Sequence, residues 1–146
     1  MENNTDITLH LRTDPGLLCS VRALTSRYVG EWLHDDSKTK EIVLAIDEAC
    51  ANAIQHAYNN DPNQTITLRF TAMERTLEIQ VEDRGHTAPT EKVQRKTPAP
   101  PDPETLTPGG LGVQLIHQVF DEADWCPGTP TGNCVRMRLY KKNQES

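Results

Sequence analysis

Aromatic side chains are scarce in this sequence, only 5% of its 146 residues, so a core has to be assembled mainly from Leu, Ile, Val and Ala. No apolar run approaches the roughly 20 residues that a membrane-spanning helix needs, so no segment of this sequence is expected to cross a membrane as a helix. Basic residues are in deficit: the formal net charge is -6, and an acidic chain repels a phosphate backbone instead of releasing its counterions. Nucleic acid is therefore set aside as a direct partner, and a basic protein surface fits the sign better. Cys19, Cys50, Cys126 and Cys134 show no C-x-x-C spacing, so neither zinc nor a disulfide framework is indicated, and the four read as small buried thiols. His10, His34, His56, His86 and His117 do not cluster as metal ligands would.

What remains is an ordinary globular composition, 36% apolar and 25% charged, at the length of one domain spanning residues 1–146. Met1 to Leu11 is polar and acidic, without the basic and apolar regions of a secretory signal, and reads as the start of a cytoplasmic protein.

Periodicity divides the chain into elements. Ile7 to Leu11 alternates as an edge strand does. Asp14-Pro15-Gly16 predicts a capped start for a helix with Leu17, Leu18, Val21, Leu24, Val29 and Leu33 on its apolar face, ended by Asp35-Asp36-Ser37. A second helix is predicted from about Thr39 to Tyr58, with Ile42, Val43, Ile46, Ala49, Cys50, Ala53, Ile54 and Ala57 buried. Ile66, Leu68 and Phe70, then Leu77, Ile79 and Val81, predict a hairpin. From Thr87 to Pro108 the pattern collapses and six of the ten prolines gather, which points to a lid or to a disordered insert. Gly109-Gly110-Leu111-Gly112 then precedes a helix bearing Val113, Leu115, Ile116, Val119 and Phe120. A short strand at Ala123 to Trp125, a turn at Pro127 to Pro130, and a strand with Val135, Met137 and Leu139 facing inward close the chain. The fold class that follows is α/β, more strictly α+β: a two-layer sandwich with helices on one face of a mixed, mainly antiparallel sheet.

Three groups of residues could carry chemistry. Glu48 and Asn52 lie one helical turn apart on the same face. They fit either a solvated helix face or a pair in which the amide oxygen holds magnesium and the carboxylate acts as a base. Asp83-Arg84-Gly85 stops the second hairpin strand, either as a simple turn or as a purine contact, with Asp accepting an amine hydrogen and Gly admitting the flat base. The glycines at 109, 110 and 112 open a helix, as a hinge or as a phosphate cradle of free N–H groups.

The order of these groups resembles the GHKL (Bergerat-fold) ATPase superfamily of gyrase B subunits, MutL, heat-shock chaperones and histidine-kinase catalytic domains. That order runs Glu48-Ala49-Cys50-Ala51-Asn52 on a helix, a hairpin, Asp83-x-Gly85, a lid, and Gly109-Gly110-Leu111-Gly112 before a helix. Glu41 to Tyr140 is most similar to the anti-sigma-factor serine kinases of bacteria. The resemblance implies an ATP- and Mg2+-dependent protein-serine kinase that phosphorylates a STAS-type anti-anti-sigma antagonist and sequesters a sigma factor by partner switching. It makes Glu48 the general base, Asn52 the magnesium ligand, Asp83 and Gly85 the adenine contacts, and Gly109, Gly110 and Gly112 the phosphate cradle. A homodimer through the first strand and helix is a further implication. Thr87 replaces a second adenine-motif glycine, Pro108 replaces an arginine, and Asn133-Cys134 stands where a threonine often approaches the nucleotide; Lys92, Arg95 or Lys96 could substitute for that arginine. The alternative from another class is a noncatalytic module whose partner affinity is gated by ATP. A histidine-kinase fragment is disfavoured because no His-bearing hairpin precedes the domain.

Overall fold

The computed structural model describes residues 5–84, 108–129 and 132–141. Strand β1 (Thr5–Arg12) leads into a 3-10 turn (Pro15–Leu17) and two helices, α1 (Leu18–Leu33) and α2 (Asp36–Asn52), with a π-helical turn (Ala53–Ala57) continuing α2. Strands β2 (Thr65–Ala72) and β3 (Thr76–Asp83) follow, then α3 (Pro108–Val119), β4 (Glu122–Thr129) and β5 (Gly132–Tyr140).

The boundaries follow local chemistry. Asp14 accepts the Gly16 N–H at 2.9 Å, the predicted cap, although it opens a 3-10 turn before α1 begins. Helix α1 ends at His34, in the left-handed region at φ 56 and donating its N–H to Gly30. Asp35 therefore does not stop α1 as expected. It caps the start of α2 by accepting the Lys38 N–H at 3.0 Å, a typical use of Asp where orphan N–H groups need an acceptor. The predicted second helix is a true α-helix to Asn52 and a wider turn beyond it.

The sheet order is β1-β2-β3-β5-β4. Every described pairing is antiparallel, where the sequence led to a mainly antiparallel sheet with some parallel pairing. The reason is topological: β3 and β4 run in the same direction, but β5 pairs with both and lies between them, so no parallel ladder forms. β1 is an edge strand, as expected. β4 is longer than expected and continues through Pro127 and Gly128; proline is tolerated there because β4 is the other edge.

All three helices contribute to one core. Val21 and Val29 of α1, Ile42, Ile46 and Cys50 of α2, and Ile116 and Val119 of α3 join Leu68, Phe70, Ile79, Val81 and Met137 of the sheet. Each large side chain taken out of water there contributes about 1.5–3 kcal/mol. Alternation places the other strand residues on the opposite face, where Glu78 accepts Arg138 Nε at 2.7 Å and Arg138 Nη1 reaches Glu122 at 3.2 Å. Among the cysteines whose side chains are described, which leave out Cys126, the expectation of buried thiols holds for Cys50 alone. Cys134 is half-buried and Cys19 is exposed, because Cys19 falls on the solvent side of α1.

Candidate functional site

Helix α2 carries Glu48 and Asn52 one turn apart, on the flank of the stripe formed by Ile46, Ala49 and Cys50. Both are partly exposed. Burial pushes the Glu48 carboxyl up, and the neighbouring Asp47 charge adds to the rise. A carboxylate made more basic in this way is suited to accepting a proton. The side-chain oxygen of Asn52 is buried without a hydrogen-bond partner among the described residues. An orphaned amide oxygen in a helix is an unsatisfied acceptor, and it is the hard donor that a magnesium ion takes alongside water and phosphate oxygens. The residues present therefore fit a magnesium ion.

Directly after Asn52 the helix widens into the π turn Ala53–Ala57, a feature that often marks functional sites. Ile54 and Ala57 bury one side of the turn. Its exit runs through Asn59 and Asn60, both at positive φ, and the Asn60 N–H returns to the Ile54 carbonyl at 3.0 Å. Tyr58 at its end donates its hydroxyl to the Thr65 carbonyl at 3.0 Å and accepts the Arg84 N–H at 2.6 Å. The turn thereby packs on β3. Burial raises the Tyr58 phenol, opposed by the Arg84 N–H and reinforced by the charge of Asp83.

Asp83 ends β3 on the inner face of the sheet, in register with Ile66 on one side and Asn133 on the other. It is 8% exposed, and Asn133 Nδ2 donates to its Oδ1 at 2.8 Å. A buried carboxylate requires such donors. Gly132, at φ +123, presses against the same corner, where an added Cβ would stand 1.9 Å from the Asp83 carbonyl oxygen.

Gly109, Gly110 and Gly112 lie within the first turns of α3, which starts at Pro108, rather than before it. Proline suits a first helical position because its missing N–H has no partner there in any case. Helix α3 packs against α2. Thus α2 bears Glu48 and Asn52, its neighbour α3 bears the glycines, and the π turn joins α2 to the Asp83 end of β3. Gly85 lies outside the described residues, as does the expected lid over about 87–108 apart from Pro108, with Thr87, Lys92, Arg95 and Lys96 in it. Tyr58 and Gly132 were not singled out in the sequence, and Asn133 stood there only as a departure from pattern. The signals were a lone tyrosine ending an apolar helix and a glycine just before an alternating strand.

Comparison with known proteins bears on the fold and the family. Residues 11–139 match the family described as Histidine kinase-like ATPase domain. The chain is 31% identical over 126 residues to the serine-protein kinase RsbW of Bacillus subtilis (strain 168), covering 84% of this chain and 79% of that one. It is 29% identical over 119 residues to RsbW of Bacillus velezensis, covering 80% and 74%. Among solved structures, the RsbU and RsbW domains of Rv1364c from Mycobacterium tuberculosis match with a TM-score of 0.66 at 20% identity, over 93% of this chain and 32% of that one. The blue-light activated histidine kinase of Erythrobacter litoralis EL346 shares the fold at a TM-score of 0.56 and 18% identity, over 89% and 61%. The chain belongs to the histidine kinase-like ATPase domains, and within them to the family of the RsbW serine-protein kinases.

Proposed function

We propose that this protein is an ATP-dependent protein-serine kinase and anti-sigma factor, a single domain working in the cytoplasm. It phosphorylates an anti-anti-sigma antagonist of the STAS type and otherwise holds a sigma factor. The observation that carries the reading is the orphaned Asn52 oxygen one turn from Glu48, on the chain's match to serine-protein kinases.

In this reading Asp83 accepts the exocyclic amine of adenine, Gly85 gives the base room, and Asn133 holds the carboxylate that does so. The backbone N–H groups of Gly109, Gly110 and Gly112 bind phosphate oxygens at the start of α3. Asn52 holds magnesium, which when bound neutralises charge on the triphosphate. As the serine oxygen bonds to the γ-phosphorus and the bond from that phosphorus to the departing ADP breaks, Glu48 takes the proton of the serine hydroxyl, and the raised basicity of its carboxylate favours that transfer. The chain's acidic balance suits partners with basic contact surfaces.

The test is phosphotransfer. The protein, labelled ATP with magnesium, and a candidate antagonist should yield phosphoserine on the antagonist. ATP binding without transfer would identify the noncatalytic, ATP-gated module instead. Failure to bind any adenine nucleotide would end both readings.

A further inference from the structure

Two hydrogen bonds reach the Asp83-Arg84 corner from opposite sides. From β5, Asn133 Nδ2 donates to Asp83 Oδ1 at 2.8 Å. From the end of α2, the Tyr58 hydroxyl accepts the Arg84 N–H at 2.6 Å while donating to the Thr65 carbonyl at 3.0 Å. Thr65 is the first residue of β2, and its neighbour Ile66 is the register partner of Asp83. A single phenol thus spans the adjoining ends of β2 and β3, used both as donor and as acceptor, and Gly132 closes the corner from β5.

The position of Tyr58 is set by the chain that leads to it. The π turn Ala53–Ala57 starts immediately after Asn52, and its wider winding changes the direction in which the following residue leaves the helix. Ile54 and Ala57 hold the turn in the core. The path from the Asn52 amide to the Arg84 N–H is therefore six residues of helix and one hydroxyl, with no loop between them.

We propose that Tyr58 is a positioning residue for the purine end of the site: its hydroxyl fixes the corner carrying Asp83 against the end of the helix carrying Asn52, so that the base acceptor is already in place when the purine arrives. This deepens the reading of Asp83 as the base acceptor and rests on it. The bond to Arg84 is to the backbone, so the arginine side chain has no part in it. Phenylalanine at 58 keeps the ring and removes both hydrogen bonds.

The experiment compares wild type with Tyr58→Phe in the full chain, using adenosine, ADP and ATP with magnesium. Expected is a loss of affinity by about tenfold, the size of one or two net hydrogen bonds, equal for all three ligands, with the transfer rate at saturating ATP within about twofold of wild type. Adenosine is the deciding ligand, because it reports the base end alone. Unchanged adenosine affinity, or a lowered saturated rate with affinity kept, overturns the proposal even if the variant melts earlier. Should Tyr58→Phe fail to fold, hydrogen exchange on the wild type decides: the Arg84 amide should exchange more slowly once adenosine is bound, and an unchanged rate overturns the proposal. A wild-type protein that binds no adenine ligand defeats the functional reading and this inference with it; wild-type binding matched by the variant defeats this inference alone.

Discussion

Arg22 of α1 donates to Asp47 of α2 at 2.9 Å, and so partly neutralises the charge that helps to raise the carboxyl of Glu48. A cation one helix away thereby tempers the residue proposed as the base.

The pH dependence of phosphotransfer follows from this arrangement. Glu48 acts when ionised, so the rate should climb as pH rises through its elevated pKa and then level. Glu48→Gln should abolish that limb and lower transfer by about 10²–10⁴-fold, leaving nucleotide affinity in place. Arg22→Met should move the limb to higher pH, since Asp47 then acts unopposed. For stability the sign is reversed: a carboxyl whose folded pKa is raised favours the fold below its unfolded pKa and loses that contribution as pH rises through the folded value. Glu48→Gln should therefore melt no lower than wild type at neutral pH. A pH–rate series with matched thermal melts checks both.

Asn52→Ala should separate function from stability. It removes a buried acceptor without a partner and replaces a weak helix former by the best one. The protein should hold steady or gain about 1 kcal/mol in urea denaturation, while magnesium-dependent ATP affinity falls at least tenfold. A strongly destabilised variant would show that the oxygen has a structural partner after all.

Gly132→Ala should do the reverse. Positive φ at a residue with a side chain costs about 1–3 kcal/mol, and the new Cβ would stand 1.9 Å from the Asp83 carbonyl oxygen. Lower stability and weaker nucleotide binding are expected together, measured by denaturation and by titration with ATP. Tolerance of alanine would show that this corner is not tightly built.

The thiols should differ in reactivity. Cys19 is exposed, whereas burial drives the Cys50 thiol far above its ordinary pKa, with the Asp47 charge adding to the rise. An alkylating reagent should label Cys19 in the native protein and Cys50 only after unfolding, as peptide mass mapping would reveal.

Most elements were legible from spacing alone, because strand and helix periods differ and each buries one face. The hairpin of β2 and β3 needed no more than alternation on both sides of a short polar link. The Glu48 and Asn52 pair was also visible, since four residues make one turn. The widening after Asn52 was not, because Ala53 to Ala57 continues the same apolar spacing; the π turn packs on β3, a contact that no local spacing reveals. The glycines were expected just before a helix, as a hinge or a phosphate cradle, yet they lie in the first turns of α3, where α3 packs on α2 and context overrides the low helix propensity of glycine.

The sequence by itself determined the kinds of element, their order and the residue types at the candidate site, since each of these is written in local spacing and side-chain chemistry. Only the tertiary structure decided that β5 lies between β3 and β4, so that Asn133 meets Asp83, and that the π turn packs on β3, so that Tyr58 meets Arg84. Those partners are 50 and 26 residues apart in the chain. Which distant strands pair, and in what register, depends on burying one common core, and no local pattern encodes that.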